Sequence, residues 1–106
     1  MSKETRRTEG QAGGAYAPEL HEPGLYAVVL HNDDYTTMDF VVAVLMRIFH
    51  KSAEDAAQIM TKVHNAGEGI AGVYPFDIAV TKRLLAERMA EERNYPLRIS
   101  VMEARQ

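Results

Sequence analysis

Leu30-His31-Asn32-Asp33-Asp34-Tyr35-Thr36-Thr37-Met38 joins two apolar runs of different period. Before it, Tyr26-Ala27-Val28-Val29-Leu30 is apolar throughout, and its valines favour extended backbone. Residues 26–31 are therefore predicted to form a buried strand. After it, Met38, Val41, Leu45 and Phe49 recur at helical spacing, with Val42, Met46 and Ile48 widening the face. Thr36 is the expected N-cap of that helix, with Asp39 three residues on as an acidic partner. Asn32, Asp33 and Asp34 stand at the turn between strand and helix. Such residues bond their own backbone and form turns readily. They also set an amide oxygen and two carboxylates beside an apolar helix face beginning at Met38. That pairing suits a ligand with a cationic head and an apolar side chain.

Working outward, His50-Lys51 ends the first helix. Ser52 caps the second, with Asp55 at plus three. Ala56, Ile59, Met60 and Val63 form its apolar stripe, and Gly67 suits the position after its end. His64 then falls in the last turn, within reach of whatever Met60 and Val63 line. Residues 69–74 read as a second strand, weakened by Gly72. Pro75 opens a long helix, residues 76–93, whose expected core stripe is Ile78, Leu85 and Met89. Val80 and Leu84 fall off that stripe. Asn94-Tyr95-Pro96 breaks the helix. Residues 97–102 alternate as a third strand, with Leu97, Ile99 and Val101 on one face. The order β-α-α-β-α-β predicts a two-layer α+β domain, a small three-stranded antiparallel sheet with three helices on one face.

The 106 residues suffice for one domain with a modest core. Residues 1–24 carry Gly10, Gly13, Gly14, Pro18 and Pro23 and no apolar period. They cannot offset their ordering entropy and are expected to be a disordered tail ahead of a core at 25–106. Net charge is 12 − 15 = −3, which argues against non-specific nucleic-acid binding. Cysteine is absent, which excludes disulfides and thiol catalysis and fits a reducing compartment. No apolar run approaches the roughly 18 residues of a membrane span. The chain is expected to be a cytoplasmic monomer.

Three chemistries can be set against the Asn-Asp-Asp turn. As a hard-cation site it lacks the six or more oxygens such ions take. As a catalytic carboxylate pair it lacks a nucleophile or a phosphate cradle. A zinc site would need His31, Asp33 and His64 together, and no zinc motif supports that. His64 alone reads as a helix-end histidine, favourable with the dipole. Met38 and Met60 are adaptable enough for a surface that accepts more than one side chain.

The run Asn32-Asp33-Asp34-Tyr35-Thr36-x-Met38-x-Phe40-Val41 resembles the signature of the ClpS family, adaptors that deliver N-degron substrates to Clp proteases. The similarity continues at Met60-x-x-Val63-His64, Gly72-Val73-Tyr74, Ala79-x-Thr81-Lys82 and Pro96-Leu97, and covers about residues 25–103. The resemblance implies a binding module, not an enzyme, with no cofactor or metal. It implies that Asn32, Asp34 and His64 contact a substrate's α-ammonium, with Asp33 alongside. It implies a side-chain pocket of Leu30, His31, Thr36, Met38, Val41, Met60, Val63 and Leu97. That pocket would take Leu, Phe, Tyr or Trp, and Met38 would exclude β-branched residues. Asp77 and Lys82 would meet the N-domain of a ClpA-type AAA+ unfoldase, and the tail would act in handover. Two residues depart from the family pattern. Thr37 replaces a frequent Pro, so a looser turn is expected. His31 replaces an aliphatic residue, so a more polar pocket is expected.

An aromatic side chain buries ~150–250 Å², or roughly 4–6 kcal/mol. Charge-assisted bonds to an ammonium add about 1.5–3 kcal/mol each before binding entropy is subtracted. Micromolar affinity needs about 8 kcal/mol, so such a site demands both halves of its ligand. The alternative reading is a ribosomal-stalk-like α/β interaction domain, which has no use for the Asn-Asp-Asp turn with His64.

Overall fold

A computed structural model describes residues 24–104. The predicted tail lies outside these residues apart from Gly24. The elements run β1 (Leu25–His31), α1 (Met38–Arg47), α2 (Ala53–Ala66), β2 (Glu68–Pro75), α3 (Phe76–Glu92) and β3 (Arg98–Glu103). The sheet is antiparallel, with β1 central in the order β2-β1-β3. Period-two alternation divides β1 between two faces. Val28 and Leu30 enter the core with residues of all three helices. Ala27 and Val29 turn to the other face, beside Ile70, Val73 and Met102. The predicted α+β order and antiparallel sheet are thus observed.

Where elements meet, small residues set the distance. The β1–β2 register slips between Val28 and Val29, leaving Ala71 as an extra, fully buried residue of β2. This bulge puts Ile70 and Val73 on one face although they are three residues apart. Gly72 takes the Tyr74 ring over its backbone, where an added Cβ would clash with the ring and its hydroxyl. Tyr74 in turn packs near Phe49, and the Lys82 ammonium sits 5.3 Å from its ring centre.

The structure corrects three sequence expectations. The N-cap of α1 is Thr37, whose Oγ1 accepts the Phe40 N–H at 3.1 Å. The Thr36 hydroxyl donates to Asp33 Oδ2 at 2.8 Å and is already engaged. Thr37 at φ −75° keeps a proline-compatible backbone and adds a cap bond, so the turn is tied by its side chain rather than loosened. Third, α3 buries Ala79, Ala86 and Ala90, while Ile78 and Leu85 are 44% and 46% exposed. Alanines let the helix backbone approach the sheet, whereas a stripe chosen by side-chain size points outward. Met89 alone of that stripe packs partly against the core. Ser52 and Gly67 cap α2 as expected, Gly67 at φ +92°.

Candidate functional site

The loop after β1 is built around Asp33. Its Oδ1 accepts the backbone N–H of Tyr35 at 2.8 Å and of Thr36 at 2.7 Å. Its Oδ2 accepts the Thr36 hydroxyl at 2.8 Å. Partial burial pushes this carboxyl up, but the bonds from Thr36 and Tyr35 outweigh it and hold it below its ordinary value. The loop is also pinned from outside. Asn32 N–H donates to the Gly67 carbonyl at 2.9 Å, and Gly67 N–H donates to the Val63 carbonyl at 3.0 Å. The end of β1 is thereby fastened to the last turn of α2, which carries His64.

An open cavity of about 480 Å³ lies between this loop, α1 and α2. That volume falls within the ordinary range of ligand pockets. Its polar side holds Asn32, Asp33, Asp34 and His64. Its apolar side holds Met38, Val41, Met60 and Val63, with Thr36 between. Val41 and Val63 are core residues whose exposed fraction forms a fixed wall. Met38 is half exposed and stands at the mouth. Asn32, Asp34 and His64 are exposed, and among the described residues their side chains hold no hydrogen bond. The site thus has two kinds of acid: Asp33 is committed to the loop, and Asp34 faces solvent. The C-terminal end of α2 adds partial negative charge nearby. The arrangement can hold a small cationic group against acceptors and bury an attached apolar side chain.

Three sequence-predicted pocket residues do not line this cavity. His31 shares the strand face of Ala27 and Val29, away from the helices. Its Nε2 lies 2.7 Å from Ser100 Oγ and its Nδ1 3.5 Å from Glu68 Oε1. It therefore adds no polarity to the pocket, and it cannot join Asp33 and His64 in a zinc site. Leu30 is fully buried in the core that carries Val41 and Val63. Leu97 is buried against the end of α3 and lines a separate hollow with Ala90 and Tyr95. Conversely, Tyr35 and Thr37 line the cavity and were missed by the pocket prediction. Their place inside the acidic turn was the available signal. Asp77 is exposed in the first turn of α3. Lys82 is half-buried, its Nζ donating to the Ile48 carbonyl at 2.8 Å.

A family model described as ATP-dependent Clp protease adaptor protein ClpS matches residues 21–100. The chain belongs to the ClpS family. The ATP-dependent Clp protease adapter protein ClpS of Acetivibrio thermocellus is 54% identical over 85 residues, covering 80% of this chain and 85% of that one. Its counterpart in Oleidesulfovibrio alaskensis is 47% identical over 103 residues, covering 97% and 99%. Among solved structures, Agrobacterium tumefaciens ClpS2 bound to L-phenylalaninamide is 35% identical with a TM-score of 0.76, covering 78% of this chain and 100% of that one. As a ClpS-family protein the chain is an adaptor, not an enzyme. It binds N-degron substrates and delivers them to a Clp AAA+ unfoldase. The family match sets aside the ribosomal-stalk-like reading. No helix among the described residues is long and apolar enough to cross a membrane.

Proposed function

We propose that the cavity receives the first residue of the substrate, and that Asn32, Asp34 and His64 accept hydrogen bonds from its α-ammonium. Met38, Val41, Met60 and Val63, with Thr36, enclose a Leu, Phe, Tyr or Trp side chain. Asp33 acts at one remove by holding the loop. The single observation that carries this reading is the shared cavity: uncommitted acceptors and an apolar wall face the same space. The ligand of the Agrobacterium relative, a free amine next to a phenyl side chain, has the same two halves.

Met38 at the mouth would crowd a branch at Cβ. A titration with peptides differing only in the first residue tests this. Phe- and Leu-first peptides should bind at least about tenfold tighter than Ile- or Ala-first ones, a difference of about 1.4 kcal/mol. Equal affinities across the series would contradict the pocket assignment. We assign the partner contact to the α3 surface bearing Asp77 and Lys82, and the partner to the N-domain of a ClpA-type unfoldase in the cytoplasm. Exposure of Asp77 supports the first part. Lys82 keeps two ammonium protons for a partner after its bond to Ile48.

A further inference from the structure

Tyr35 is 75% exposed, the most open of the large apolar side chains among the described residues. An aromatic ring left in water at a binding cavity calls for an explanation. Its backbone is not loose: the Tyr35 N–H is held by Asp33 Oδ1 at 2.8 Å, and the next residue is bonded to the same carboxylate twice. The clamp that orders the acidic turn therefore also fixes the backbone from which this ring projects. Tyr35 lines the cavity together with Asp34 and Thr36, on the solvent side.

Resting on the proposed reading of the cavity, we infer that Tyr35 is a specificity-determining residue for the second position of the substrate. With the ammonium at Asn32, Asp34 and His64 and the first side chain against Val41 and Val63, the peptide must leave through the open mouth. The second Cα follows the first by about 3.8 Å, which keeps its side chain within reach of a ring on the rim. A flat or apolar second side chain gains contact with the ring face, whereas an alanine gains almost none. The occupant is thus a peptide with an apolar residue behind its N-degron.

The test is a set of affinities for Phe-Leu- and Phe-Ala- peptides of otherwise identical sequence. They are measured with the full chain as wild type, Tyr35→Ala and Tyr35→Phe. Wild type should prefer Phe-Leu- by about three- to tenfold. The ratio should fall to near one in Tyr35→Ala and return in Tyr35→Phe, which keeps the ring without the hydroxyl. A ratio unchanged in Tyr35→Ala, or a wild-type ratio of one, overturns the inference. Failure of the underlying site reading is distinguishable, because then an N-acetylated Phe-Leu- peptide would bind wild type as well as the free one.

Discussion

The carboxylate of Asp33 takes three hydrogen bonds from its own loop, whereas Asp34 beside it is exposed. Because its folded pKa lies below the ordinary value of 3.8, ionised Asp33 stabilises the fold above that value, and this contribution is lost as pH falls through the folded value. Asp33→Asn should therefore lower stability by about 1–2 kcal/mol at pH near 6. The gap to wild type should close on acidification below the ordinary carboxylate range. Urea unfolding across that pH range checks it, and a gap independent of pH would show that the charge is irrelevant. His64 obeys a different rule. It can accept a bond from an ammonium only as a neutral imidazole, since protonation removes the acceptor and adds like charge. His64→Ala should therefore weaken peptide binding by about tenfold, in line with the roughly 1.5 kcal/mol of a charge-assisted hydrogen bond. Equal affinities for wild type and the variant would remove His64 from the contacts.

At the scale of elements, the site depends on how closely α2 lies against β2. Gly69 is buried, and a Cβ there would meet Val63 Cγ2 at 2.9 Å, with the Ile59 carbonyl 3.5 Å away. Gly69→Ala should cost about 1–3 kcal/mol and weaken peptide binding, because the push falls on a cavity wall. Unchanged stability and affinity would mean that α2 yields freely. Beyond α1, His50 sits at φ +57°, a left-handed position that glycine occupies without strain. His50→Gly should raise stability by about 0.5–1 kcal/mol, measured as a shift in the urea midpoint. Local signals made much of this legible in sequence: Ser52 and Gly67 mark the ends of α2, and the valines mark β1. The α3 face was illegible because its core residues are alanines, whose apolarity is too small to stand out beside Ile78 and Leu85. His31 was placed in the pocket by the family resemblance alone, and its strand face, shared with Ala27 and Val29, turns it toward Ser100 and Glu68 instead. Asn32, Asp33, Asp34, His64, Met38, Val41, Met60 and Val63, named from the family resemblance, do line one cavity, and they lie within two short stretches of the chain.

On the scale of the whole molecule, the proposed reading assigns binding to the cavity and handover to the N-terminal residues. The cavity lies wholly within residues 32–64, whereas residues 1–20 hold few bulky apolar side chains to add to it. Deleting residues 1–20 should leave peptide affinity intact and slow degradation of an N-degron substrate by the Clp machine. A truncated chain that delivers at the full rate would assign handover to the core. The central claim is that one cavity reads a free amine and a bulky side chain together. The most direct measurement compares a Phe-first peptide with its N-acetylated form, which loses the charge and two donors while keeping the ring. The account predicts measurable binding of the free peptide and loss of detectable binding on acetylation. Equal affinity for the two forms would contradict it, because the acceptors Asn32, Asp34 and His64 would then have no ammonium to hold.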